Sequence, residues 1–294
     1  MLPAELLRQI RMLEIRTNRA VDELIGGAYH SVFKGRGIEF DEVREYTPDD
    51  DVRDIDWNVT ARMNTPYIKK YVEERELNVM LAVDVSASGA FGSGDRNKRT
   101  AAAELAALLA FSAGNNGDKV GLLLFSDRRE LLLPPRSGRK HTLRLIRDML
   151  AFEEKGQGTD IVQAIEDMNR FLSKRSVIFI ISDFLEGGDY EKSLKILNKR
   201  HDVIAVRIRD KAESLWDLPA GTCVQDAETG EIWEFDGSAS ARAEYQAAAE
   251  LEMQAGAALC RRAGVDLIDI ASGEDPVKPL IGFFNRRRHH LRGL

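Results

Sequence analysis

Asn78-Val79-Met80-Leu81-Ala82-Val83-Asp84-Val85-Ser86-Ala87-Ser88 decides how this chain folds. Asn78 to Val83 is a short apolar run that fits a strand buried on both faces, and it runs out into an aspartate and two serines. Similar runs follow at Val120 to Phe125, Val177 to Ser182, Val203 to Ile208 and Val265 to Ile270. Helical stretches separate them: Lys98 to Phe111, His141 to Phe152, Asp160 to Leu172, Glu191 to Arg200 and Ala239 to Ala263. Glu130 to Leu133, stopped by Pro134-Pro135, reads as an edge strand, because proline cannot donate to a ladder. Cys223 to Phe235 reads as a hairpin turning at Glu228-Thr229-Gly230. Strands alternating with helices predict the α/β class, with a doubly wound, mostly parallel sheet, one antiparallel edge strand and helices on both faces.

The flanks are different. Residues 4–25 carry Leu6, Leu7, Ile10, Leu13, Ile15, Val21, Leu24 and Ile25 at mostly helical spacing, which predicts an amphipathic helix ended by Gly26-Gly27. Residues 34–75 are polar and charge-dense, with strand-like stretches at Gly37 to Tyr46 and Tyr67 to Val72 and a turn at Pro48-Asp49-Asp50-Asp51. Arg44, Arg53 and Arg62 are expected to face Asp49, Asp50, Asp51, Asp54 and Asp56, with Trp57 as a buried anchor. The division is therefore 1–75 for the N-terminal helix and charged block, 76–272 for the α/β domain, and 273–294 for a basic tail. That tail, with Arg286, Arg287, Arg288 and Arg292, reads as a solvated terminus.

Composition excludes several classes. With 294 residues the chain can bury a large core, and 42 Lys+Arg against 48 Asp+Glu give a net charge of −6, which argues against a nucleic-acid binder. The longest apolar run, Leu105 to Phe111, is far short of the roughly 20 residues a membrane helix needs. The N-terminus has no basic segment leading into an apolar one, so no signal peptide is read. Cys223 and Cys260 have no zinc spacing and are expected to be reduced thiols in a cytoplasmic protein.

Open α/β sheets bind ligands at the carboxyl ends of their strands. Asp84 and Asp183 both stand where a buried run ends, and Gly156-Gln157-Gly158-Thr159-Asp160 opens a helix between them. Asp84, Asp183, Ser86, Ser88 and Thr159 are hard oxygen donors that suit Mg²⁺ or Mn²⁺ rather than zinc. Asp160 is expected to cap the following helix.

Asp84-x-Ser86-x-Ser88, then Thr159, then Asp183 resembles the metal-ion-dependent adhesion site of von Willebrand factor A domains, whose element order also matches residues 76–272. Upstream, Gly35-Arg36-Gly37-Ile38-Glu39-Phe40, Arg44-Glu45-Tyr46, Asp50 to Trp57, Ala61-Arg62 and Pro66-Tyr67-Ile68-Lys69 resemble domain-of-unknown-function family 58. The resemblance implies a metal-dependent protein-interaction module, an adaptor or co-chaperone for a MoxR-type AAA+ ATPase. A partner's Glu or Asp would complete the metal's coordination. Many relatives carry two N-terminal membrane helices, and this sequence shows none, so membrane attachment is not carried over.

The enzymatic rival is a metal-dependent phosphate-ester hydrolase using Asp84, but Ser86 stands where such chemistry wants a second acid. Gly92-Ser93-Gly94-Asp95-Arg96-Asn97-Lys98-Arg99-Thr100 meets no phosphate-loop pattern and reads as a flexible rim to the metal site. His30, His141, His201, His289 and His290 form no zinc or triad motif and are expected at the surface or in caps.

Overall fold

The computed structural model describes residues 8, 10–14, 38–48, 50–63, 65–73, 76–94, 96–153, 158–185, 188–215, 218–227 and 229–292. Most of the predicted helix over 4–25, together with Gly35-Arg36-Gly37, Asp49 and Gly156-Gln157, lies outside them. Residues 10–14 are helical, and Ile10 packs into the main core.

Strands β1 (Ile38–Glu45) and β2 (Tyr67–Glu73) pair antiparallel, with a bulge at Phe40/Glu42. Helix α1 (Trp57–Met63) lies between them in sequence. The buried Asp56 carboxylate starts it, accepting from the N–H groups of Asn58 and Val59 at 2.9 and 3.3 Å. Arg44 grips Asp50 through two bonds of 2.6 and 2.9 Å, whereas Arg53 stands 3.9 Å from Asp51 and Arg62 is exposed. Trp57 is 68% exposed and anchors nothing, because it falls on the outward side of its short helix.

The main domain runs β3 (Asn78–Asp84), α2 (Lys98–Asn115), β4 (Lys119–Phe125), β5 (Arg129–Arg136), α3 (Arg139–Leu150), α4 (Ile161–Phe171) and β6 (Val177–Ser182). It continues through α5 (Glu191–Arg200), β7 (Asp202–Arg209), the one-turn α6 (Ala212–Leu215), the hairpin β8 (Thr222–Gln225) and β9 (Ile232–Phe235), α7 (Ala239–Ala263) and β10 (Asp266–Ala271). The six-stranded sheet has the order β10-β7-β6-β3-β4-β5, parallel except for the edge strand β5. β5 runs through Pro134 and Pro135 rather than stopping before them, since at an edge their missing N–H groups interrupt no second ladder.

Alternation along β3 sorts its side chains to two cores. Val79, Leu81 and Val83 face α2 and α3, while Met80 and Ala82 face α4, α5 and the end of α7. α2 is enclosed over most of its length, and the Asn97 side chain caps it by accepting from the Thr100 N–H at 2.8 Å. α7 ends at Gly264 in the left-handed conformation, φ 71°. The basic end is no solvated tail. Val277–Arg292 forms helix α8, which buries Leu280, Phe283 and Phe284 in the first core, and Arg287 bonds Asp202 at 2.5 Å. Among the described residues no helix is long and apolar enough to cross a membrane.

Candidate metal centre

From β3 the chain moves to β4 and β5 on one side, then returns to β6 on the other, so strand order reverses at β3. Crevices of α/β sheets form at such reversals. Asp84 ends β3 there, and its carboxylate is fixed from two directions. Its Oδ1 accepts the Ser86 N–H at 2.9 Å, and its Oδ2 accepts the Ser182 hydroxyl at 2.7 Å. The Oγ atoms of Ser86 and Ser88 are 3.1 Å apart. Arg99 donates to the carbonyls of Val85 and Ser86 at 3.2 Å each and so braces this turn.

Asp183 follows β6 directly and, like Asp84, is 9% exposed. Its Oδ1 accepts the Leu185 N–H at 3.3 Å and its Oδ2 accepts from Lys98 Nζ at 2.7 Å. Phe184, next in the chain, has φ 55°, a region L-residues avoid, and is held by its N–H bond of 3.1 Å to Ser182 Oγ. Lys98 enters from the first turn of α2, is 3% exposed, and also donates to Glu213. Asp84, Ser88, Lys98, Arg99, Ser182 and Asp183 bound a cavity of about 20 Å³, room for one water- or ion-sized occupant.

Thr159 stands just before Asp160, the N-cap residue of α4. The Asp160 N–H donates to the Ser126 carbonyl at 2.8 Å, which ties this stretch to the end of β4, the neighbour of β3. The Asp160 carboxylate caps α4 by accepting from the Gln163 N–H at 2.8 Å. Asp84, Ser86, Ser88 and Asp183 therefore converge, while Thr159 stands one residue before the α4 cap and Asp160 keeps its capping role.

Sequence reasoning missed Ser182, Lys98 and Glu213. Lys98 carried a signal, being a cation at the head of an alanine-rich helix with little room for charge. At Ser93 the rim is pinned rather than loose. Asp210, beyond β7, accepts from the Ser93 N–H and hydroxyl at 3.1 and 2.5 Å and from the Ser272 hydroxyl at 2.7 Å.

Burial, reinforced by the Asp183 charge, raises the Asp84 carboxyl to about 6 against the opposing bonds from Ser86 and Ser182. Burial alone would lower the Lys98 ammonium, but the Asp183 and Glu213 charges outweigh it and hold it above the ordinary lysine range. The donor chemistry fits a hard divalent cation. Magnesium–oxygen bonds of about 2.1 Å put adjacent octahedral ligands about 3.0 Å apart, close to the Ser86–Ser88 spacing. Among the described residues no group of three or more His, Cys, Asp or Glu could hold a metal.

The remaining candidates lie elsewhere. His201 is the C-cap residue of α5, its N–H donating to the Leu197 carbonyl at 2.9 Å, and its ring is buried with neither nitrogen bonded among the described residues; His141 bonds the Val120 carbonyl at 2.9 Å. Cys223 is exposed and Cys260 buried, both as free thiols.

The chain is similar to several known proteins. The uncharacterized protein Rv1480 of Mycobacterium tuberculosis (strain ATCC 25618 / H37Rv) is 30% identical over 292 residues, covering 98% of this chain and 92% of that one. Among solved structures, the conserved hypothetical protein BatB from Bacteroides thetaiotaomicron aligns with a TM-score of 0.49 at 16% identity, over 72% of this chain and 99% of that chain. The SpRpn10 VWA domain aligns at 0.39 and 14%, over 71% and 95%. Residues 42–255 match the family described as "Protein of unknown function DUF58". That match spans more than half of the chain, which belongs to the DUF58 family, and its mostly parallel sheet with one antiparallel edge strand and aspartates at the ends of β3 and β6 is the α/β arrangement expected from the sequence of a von Willebrand factor A-type domain.

Proposed function

We propose that this chain is a non-enzymatic protein-interaction module that recognises its partner through Mg²⁺ or Mn²⁺ held by Asp84, Ser86, Ser88, Thr159 and Asp183. The observation that carries this reading is the convergence of two buried carboxylates and two hydroxyls 3.1 Å apart at the strand-order reversal. When bound, the cation supplies an electrophilic coordination position for a carboxylate of the partner protein. Ser86 and Ser88 offer neutral oxygens, which leave that position more electrophilic than an all-carboxylate set would. Ser182 orients Asp84, and Arg99 holds the turn that carries the serines. Beyond Asp183 a cleft of about 180 Å³, walled by Phe184, Leu185, Arg209, Tyr245 and Met253, can receive side chains flanking the partner's Glu or Asp.

The family resemblance supports a MoxR-type AAA+ ATPase as the assembly in which the module works, in the cytoplasm. A pull-down from the native host with and without chelator, using wild type and Asp84→Ala, tests the reading. Chelator-sensitive capture of such an ATPase, lost in Asp84→Ala, is the expected result. Capture unchanged by both treatments rejects it. Mg²⁺-dependent turnover of phosphate esters that disappears in Asp84→Asn would establish the hydrolase instead.

A further inference from the structure

The Lys98 ammonium stands 2.7 Å from Asp183 Oδ2 and also bonds Glu213, which is 115 residues away in sequence and lines the cleft beyond Asp183. Lys98 and Asp183 are almost wholly enclosed, so water screens neither charge. A cation drawing on Asp183 therefore meets a positive charge already seated on one of that carboxylate's oxygens. We propose that Lys98 is a tethered internal competitor for the divalent-ion site, with Glu213 as the second seat to which its ammonium withdraws when the ion is taken up. The inference rests on the metal-dependent reading above and adds the residue that sets how readily the site loads.

Three features support it. First, Lys98 is the residue after the Asn97 cap, so its backbone is fixed by α2 and only its side chain can travel. Second, Glu213 is itself anchored, its Oε2 accepting the Asp210 N–H at 2.9 Å, and thus stays in place to receive the ammonium. Third, both seats are carboxylates, so transfer from Asp183 to Glu213 keeps the ammonium paired and frees the Asp183 oxygen. Arg99, the neighbouring cation, donates to the Val85 and Ser86 carbonyls.

Calorimetric titration of the full-length chain with Mn²⁺ tests this, using wild type, Lys98→Met, Glu213→Gln and Asp84→Ala, with circular dichroism to verify folding. Lys98→Met keeps the side chain's length and removes its charge, and should bind Mn²⁺ at least about tenfold more tightly than wild type, a gain of about 1.4 kcal/mol. Glu213→Gln removes the second seat, leaves the ammonium on Asp183, and should weaken binding. Equal or weaker binding by folded Lys98→Met, alongside binding by wild type that Asp84→Ala abolishes, overturns the inference and leaves the metal-dependent reading standing. Binding by Lys98→Met but not by wild type supports the competitor and counts against a loaded wild-type site. Absence of binding in every variant overturns both.

Discussion

Asp84 and His201 titrate in one pH window with opposite consequences. His201 is 2% exposed, and burial, followed by the Arg200 and Arg175 charges, lowers it from 6.5 to about 4. As pH falls below about 6.5 the unfolded chain takes up the imidazole proton first, and the native state loses stability down to about pH 4. Asp84 runs the other way. Its native value of about 6 lies above the ordinary 3.8, so the native state takes up that proton first and gains stability as pH falls through the same range. Asp210, held at about 2 despite burial by its bonds from Ser272 and Ser93, acts only below this window. Denaturant titrations in chelator between pH 4 and 6 should therefore show opposed tilts: stability rising with falling pH in His201→Gln, and falling in Asp84→Asn. Tilts of the same sign would contradict the two environments.

At the scale of elements, the sheet is closely packed beside its edge strand. Gly121 on β4 lies between β3 and β5, and a Cβ there would stand 2.8 Å from Met80 Sδ and 3.0 Å from both the Leu133 carbonyl oxygen and Pro135 Cδ. Two of these neighbours are backbone or ring atoms with little room to yield, so Gly121→Ala should cost about 1–3 kcal/mol in urea unfolding, with the m-value unchanged. Most strand and helix positions were legible in the sequence, because periodicity and caps are local. The environments of single residues were less so. Trp57 looks like core by composition, yet its place on a seven-residue helix turns it outward. The Arg286-Arg287-Arg288 run looks like tail, yet Leu280, Phe283 and Phe284 just ahead of it drive α8 into the core.

For the whole molecule, the candidate site couples both halves of the sheet, since Asp84 ends β3 and Asp183 follows β6. An ion bound there belongs to the folded state alone and stabilises it by mass action. Mg²⁺ at about a hundred times its dissociation constant should add about 2.7 kcal/mol to wild-type unfolding free energy and nothing to Asp84→Ala. A thermal scan with and without Mg²⁺ measures this, and equal shifts in both proteins would place the ion elsewhere.

The order of strands and helices, and the aspartates and hydroxyls at their ends, were determined by the sequence itself, because each depends on neighbours a few positions away. Which side chains share the cavity was decided only by the tertiary structure. Lys98 meets Asp183 and Glu213 across 85 and 115 residues of chain, and Ser182 meets Asp84 across 98. Only the assembled sheet, with α2 packed over it, brings those distant groups within bonding distance.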